Sequence, residues 1–341
     1  MSVSDLKLAF DLQFPDLYDP EGLRRVDERF LESLAASEPA LHQWLLSARA
    51  NPESLTAKQK SELMIAVAPH VDDFVGKLFG IEAELKALQK RHHDLAPLFS
   101  VKRRFVFKKA ASGMTAEKAA AIDGEGAAKR LEEWFGERLT EDSFAQHVGE
   151  WLEKEAEHAE ELKVAADYSA WAAFAPAGRA KHLGGVLFRL PHKLDFQHLV
   201  PVEHLVQNGA DLMHFGAQHQ RYRHGFELTD EGMTTRQALS EANYCIKCHN
   251  QGKDSCSTGL KEKTGEFKKT VFGVNLAGCP LDEKISEMNV VKGEGWAVGA
   301  LAVVTVDNPM CAGTGHRICN DCMKSCIYQK QDPVDIPQTE T

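Results

Sequence analysis

The distribution of cysteine is the feature that most constrains this 341-residue chain. The first 244 residues contain no cysteine, and all eight lie in the remaining part of the chain: Cys245, Cys248, Cys256, Cys279, Cys311, Cys319, Cys322 and Cys326. The series begins as C-x2-C-x7-C, continues with C-P after 22 residues, and ends as C-x2-C-x3-C. Thiols gathered in this way in a reducing compartment favour metal ligation over disulfides.

Composition and charge exclude several classes of protein. Hydrophobic residues make up 43% and charged residues 26% of the chain, which is the balance of a soluble globular protein. The net charge of −10 argues against a general nucleic-acid-binding protein. The longest apolar run, Trp296–Val306, is far shorter than the roughly 20 residues of a membrane span. The first residues, Met1–Asp5, lack the features of a secretory signal, so the expected compartment is the cytoplasm.

Apolar residues recur at three- and four-residue steps and predict a mainly α fold. A helical stretch from Glu21 to about Ala50 is expected to divide at Pro39, and a later helix, Thr235–Tyr244, leads into Cys245. We expect three parts: a helical domain of unknown role (residues 1–230), a helical, loop-rich domain with the cysteines (231–331), and an extended, linker-like tail (332–341).

Eight thiolates divide into two sites of four ligands, which fits either [4Fe–4S] clusters or structural zinc. Cys279 is followed by Pro280, the form of the last ligand of a run in two-cluster ferredoxins. The two C-x2-C knuckles, at Cys245 and Cys319, are far apart in sequence, unlike the paired knuckles of zinc ribbons. The pattern favours iron, and a double-zinc interaction protein is the alternative.

Three motifs resemble one known domain. The run from Ala238 to Cys248, the tripeptide Gly278–Pro280 and the stretch from Asp307 to Cys326 occur in the order found in the N-terminal iron–sulfur domain of glutamate synthase small subunits and dihydropyrimidine dehydrogenase. The resemblance covers about residues 235–330. The loop between Cys256 and Cys279 is longer than usual for that family, and Cys311 stands where the family commonly has no cysteine.

The resemblance implies two [4Fe–4S] clusters with interleaved ligands. One cluster would take Cys245, Cys248, Cys256 and Cys326, and the other Cys279, Cys319, Cys322 and, by parity, Cys311. The implied function is electron relay within an oxidoreductase that depends on FAD and NAD(P)H. No strand–GxGxxG–helix unit occurs in the sequence. FAD and NAD(P) are therefore expected on a following domain or a partner subunit, and no complete active site or catalytic residue is predicted here.

Two further features of the sequence bear on function. The basic and aromatic run Lys102–Lys109 is read as a half-buried amphipathic segment, with docking of an acidic partner as a minor alternative. His249 and His316 lie beside predicted ligands and could donate hydrogen bonds to cluster sulfur, or equally face solvent.

Overall fold

The computed structural model describes residues 8–200, 202–216, 220, 222–227, 232–314 and 318–341. Helix accounts for 60% and strand for 5%, which confirms the mainly α prediction. The helices, numbered in chain order, are α1 (Pro20–Ser37), α2 (Pro39–Ala50), α3 (Ala57–Phe79), α4 (Glu82–Asp94), α5 (Ala96–Val101), α6 (Ala116–Ala120), α7 (Gly124–Phe135), α8 (Glu141–Glu153), α9 (Ala159–Phe174), α10 (Pro176–Lys181), α11 (Thr235–Tyr244), α12 (Ser255–Thr258), α13 (Ile285–Gly293), α14 (Ala297–Asp307), α15 (Cys311–Thr314), α16 (Asp321–Ser325) and α17 (Ile336–Glu340). A π-helical segment, Lys102–Ala110, follows α5.

The first three helices pack around a small core that includes Phe30, Leu34 and Phe74. Pro39 occupies the first turn of α2, where its missing N–H costs nothing, so the predicted division at this residue is confirmed. The apolar patterns predict separate helices over residues 54–67 and 71–88, on either side of Pro69, but α3 continues through Pro69 and ends at Gly80 in the left-handed conformation. Apolar residues buried on both sides of Pro69 offset its missing hydrogen bond.

The largest core lies in the middle of the chain and joins α5 to α9 with the segment 186–190. Phe105 and Val106 of the π-helical segment belong to this core, while Arg103 and Arg104 are exposed. The amphipathic reading of the basic run is therefore correct. Leu239 of α11 also lies in this core, so the helix that precedes Cys245 is anchored to the first part of the chain.

An antiparallel hairpin follows this core and consists of β1 (Val202–Gln207) and β2 (Ala210–Phe215). Its side chains are almost all exposed, including Val206 and Met213. The predicted boundary at 230/231 falls outside the described residues.

The tail differs from the linker-like segment that the sequence predicted. Residues 336–340 form α17, which begins with the Asp335 side chain accepting the Gln338 N–H. Val334, Ile336 and Thr339 are buried among the cysteine-bearing elements. The prolines of the tail predict extended chain, but Pro337 occupies the first turn of a helix, where proline is favoured.

A packed core and a hydrogen bond connect the first part of the chain to the cysteine region. Helix α3 packs against α13 and α14, and Ala68 shares a core with Met288 and Val303. Asp72 of α3 is buried, and its carboxylate accepts the Gly299 N–H in the first turn of α14 at 2.9 Å.

Candidate metal centre

Four of the predicted ligands converge at one place, and we call them the first thiol group: Cys245, Cys248, Cys256 and Cys326. Cys245 caps the C-terminus of α11, whose N-terminus is fixed by a capping box at Thr234. Lys247 follows with a φ of +58°, and its backbone N–H points at the Cys245 sulfur, 3.4 Å away. Cys256 lies on α12 and Cys326 directly after α16, so distant stretches of chain supply the four thiols.

The electrostatics of the first thiol group oppose free thiolates. Burial, with smaller contributions from the neighbouring Cys245 and Cys326, raises the pKa of Cys248 to about 11. Burial also raises the pKa of Cys256 well above its ordinary value, with Asp254, Cys326 and Cys245 adding to the shift. Several buried sulfurs that disfavour one another's ionisation are stable as thiolates only where a cation compensates their charge.

A second thiol group contains Cys279, Cys319 and Cys322. Burial raises the pKa of Cys322, and both Cys279 and Cys319 add to the shift. Cys279 and Cys322 are buried, whereas Cys319 is exposed. The group therefore lies at the edge of the cysteine region, with one side open to solvent.

Cys311 lies in a different setting from the other cysteines. Its side chain is buried in the core formed by α3, α13 and α14. Burial raises its pKa to about 11, with Glu340 and Glu283 adding to the shift and Lys292 opposing it. Glu340 also acts on the pKa of Cys279 and of Cys322, so this carboxyl stands near all three thiols.

No sequence pattern points to Glu340, because it lies in the segment predicted to be a linker-like tail. Burial and the facing carboxyl of Glu283 together raise the pKa of Glu340 to about 9. Glu340 is therefore protonated at neutral pH. Glu340 Oε1 is buried without a hydrogen-bond partner in the described structure, and the Lys292 ammonium attracts this carboxyl.

The two thiol groups are directly connected. The Cys279 backbone N–H donates to the Cys256 carbonyl at 2.8 Å, and the Gly278 N–H donates to Ser325 Oγ at 2.9 Å. Gly278 has a φ of +87°, and a Cβ added there would lie 2.3 Å from the Ser257 carbonyl oxygen. Helix α16 also joins the groups, because it carries Cys322 of one and ends at Cys326 of the other.

The spacing of the side chains bears on what could be bound. Among the described residues, no three His, Cys, Asp or Glu side chains are close enough together to hold a single metal ion. Four thiolates around one zinc ion lie about 4 Å apart, since each Zn–S bond is about 2.3 Å long.

Two residues that can gain or lose a proton, Asp254 and His249, lie within two positions of cysteines of the first thiol group. The Cys256 thiol donates to Asp254 Oδ1 at 3.8 Å, and burial raises the pKa of Asp254 to about 6. His249 is buried with its Nδ1 against Ser286 Oγ, so neither the solvent-facing reading nor a bond from this nitrogen to sulfur applies. The position of Asp254 two residues before Cys256 was visible in the sequence, although it was not singled out. His316 lies outside the described residues.

Helices long and apolar enough to cross a bilayer are absent from the described ranges, in agreement with the expectation of no membrane span.

Comparisons with known proteins identify relatives without an assigned activity. Residues 8–80 match the family model described as RP005 N-terminal alpha-helical domain. The uncharacterized protein RP005 of Rickettsia prowazekii (strain Madrid E) is 30% identical over 304 residues, which cover 85% of this chain and 99% of that protein. The uncharacterized protein RP006 of the same organism is 75% identical over 32 residues, which are 9% of this chain and 4% of that protein. No solved structure matches significantly. By its full-length similarity to RP005, the chain belongs to the RP005 family.

Proposed function

We propose that the cysteine region binds two [4Fe–4S] clusters and relays single electrons as part of a cytoplasmic oxidoreductase that depends on FAD and NAD(P)H. The first thiol group and Cys279, Cys311, Cys319 and Cys322 are the proposed ligands of the two clusters. FAD and NAD(P) are expected on another domain or subunit that this chain serves.

The observation that carries the proposal is the gathering of buried thiols from distant stretches of chain into two connected groups. The Cys279–Pro280 dipeptide and the wide separation of the two C-x2-C knuckles in sequence favour clusters over the double-zinc alternative. When bound, each cluster supplies reversible one-electron oxidation and reduction.

The chain contributes ligands, exclusion of water and a short route between the sites. Most of the thiols are buried, which keeps water away from the sulfur atoms. The bond from Cys279 to Cys256 joins the backbones of the two groups, so electrons would cross little intervening protein. The exposed Cys319 places the second group near the surface, where an electron-transfer partner can approach.

Metal analysis of anaerobically purified protein tests the proposal. We expect a brown protein with about eight irons per chain and an EPR signal after reduction, because two four-iron clusters are predicted. Cys248→Ala should lower the iron content to about four, since this residue belongs to the first group alone. Thr258→Ala, an exposed substitution close to Cys256, is the matched control and should keep the full iron content. A colourless protein with about two zincs would establish the alternative instead.

Cys311 requires its own experiment, because its ligand role rests on parity. Cys311→Ala should lower the iron content to about four if the residue binds the second cluster. Full occupancy of both clusters in this variant would show that the eighth ligand is another group.

A further inference from the structure

A cleft lies where the first part of the chain meets the cysteine region, and we call it the junction cleft. It consists of two adjoining cavities of about 180 and 220 Å³. Both cavities are lined by Lys102, Phe107, Pro191, Ser240 and Tyr244. Together they reach the size of a small-molecule site, for which about 300 Å³ is the lower range.

A buried ammonium faces this cleft. Lys102 is 8% exposed, and its Nζ donates to Ser240 Oγ at 2.9 Å. This is its one hydrogen bond among the described residues, whereas an ammonium has three N–H donors. A buried cation with spare donors at a cavity is a place for an oxygen acceptor.

The acidic residues of the cleft are engaged within the chain. The Glu241 carboxylate attracts the Lys102 ammonium and accepts the Asp335 N–H at 3.0 Å. Asp332 accepts the His192 N–H at 3.1 Å, and Asp335 accepts the Gln338 N–H at 3.4 Å. Arg189 adds a second positive charge to one of the two cavities. The spare N–H donors of Lys102 and the guanidinium of Arg189 suit an anionic oxygen.

The remaining wall is aromatic. The rings of Phe107 and Tyr244 are nearly parallel, at 25° with centroids 6.3 Å apart, and Tyr244 stacks on Tyr328 at 4.5 Å. The Tyr244 hydroxyl is held by the Asp332 carbonyl and the Gln331 amide, which fixes the orientation of its ring. Fixed ring faces beside a cation provide an apolar surface for a planar molecule.

We propose that the junction cleft binds a small aromatic carboxylate, with its carboxylate on Lys102 and its ring against Phe107 and Tyr244. Arg189 contributes to the attraction of the anion. The proposal concerns binding alone and does not rest on the presence of iron–sulfur clusters, so each of the two proposals can fail without the other.

Calorimetric titration of the full chain tests this site with 2-naphthoate and with 2-naphthalenemethanol, which has the same ring system without the charge. We expect saturable binding of one naphthoate per chain, at least tenfold tighter than the alcohol, because a charge-assisted hydrogen bond is lost with the alcohol. Lys102→Met should weaken naphthoate binding about tenfold or more and remove the preference for the acid. Lys108→Met is the matched control, because Lys108 lies exposed on the same π-helical segment.

A second variant, at an exposed residue, keeps the proposal testable if Lys102→Met does not fold. Arg189 is exposed, so Arg189→Met should fold normally and should weaken naphthoate binding without affecting the alcohol. The proposal is overturned if naphthoate does not bind saturably to the unaltered chain. It is equally overturned if Lys102→Met and Arg189→Met both bind naphthoate as tightly as Lys108→Met does.

Discussion

Replacement of Asp72 by alanine tests how firmly the N-terminal helices hold the cysteine region. The Asp72 carboxylate comes from α3 and accepts the N–H of Gly299 in the first turn of α14. Helix α14 has no capping side chain of its own at Trp296, so Asp72 performs that task from another element.

The expected loss follows from this geometry. Alanine would leave a buried N–H without an acceptor, which costs about 1–3 kcal/mol, and loss of a helix cap costs about 0.5–2 kcal/mol. These figures describe the same interaction and are not added, so we expect about 2 kcal/mol. Urea unfolding followed by helical circular dichroism measures this change. Asp73→Ala is the matched control, because Asp73 is the exposed neighbour and should change stability by less than about 0.5 kcal/mol.

The charge of Asp72 adds a pH test. Burial raises the pKa of Asp72, and the hydrogen bonds from Gly299 and Val298 only partly oppose this. The folded state therefore holds the proton more tightly than the unfolded state, so the contribution of Asp72 to stability falls as pH rises from about 4 through the raised pKa. Asp72→Asn keeps an acceptor oxygen but cannot ionise, so this decline should disappear. Equal unfolding midpoints for Asp72→Ala and Asp73→Ala would refute the role assigned to Asp72.

Two other substitutions probe the cysteine region and the junction cleft. Gly278→Ala forces a side chain into a left-handed backbone conformation against Ser257, and we expect the free energy of unfolding to fall by about 1–3 kcal/mol. Urea unfolding measures this loss. Gly293→Ala is the control and should change stability little, because an added Cβ at Gly293 meets nothing within 4 Å. Burial lowers the pKa of Lys102 to about 8. Between about pH 8 and pH 10.5 Lys102 is protonated in the unfolded chain but not in the folded one, so its contribution to stability should rise with pH over this range. Urea unfolding at a series of pH values measures this rise, and Lys102→Met should abolish it.

Local patterns predicted the individual helices well. The helix expected at Thr235–Tyr244 has the observed bounds, and the division at Pro39 is correct, because capping residues and prolines act within one turn of chain. The continuation of α3 through Pro69 was missed, since it depends on burial against other elements. Local periodicity carries no information about such contacts.

The sequence also predicted some residues of the candidate site and not others. The resemblance implied that Cys326 joins Cys245, Cys248 and Cys256, and the structure brings these four together, although metal binding itself stays a prediction. Glu340 was missed because its role depends on the folding back of a tail that looked like a linker. A cluster of cysteines can be recognised in a sequence, whereas the role of a buried glutamate depends on the elements that pack over it in the fold.

The N-terminal helices and the cysteine region are connected in a way that bears on the role of the first. The family model covers residues 8–80, and α3 within that range carries both Asp72 and Ser61, whose hydroxyl donates to Glu287 of α13. Burial raises the pKa of Cys245 and of Cys311, and two residues of α13 partly oppose these shifts: Asn289 acts on Cys245 and Lys292 on Cys311. One helix thus lies between the N-terminal domain and both sets of thiols. Helix α3 therefore supports the positions of the polar residues of α13, and through Ala68 it also packs in the core that contains Cys311.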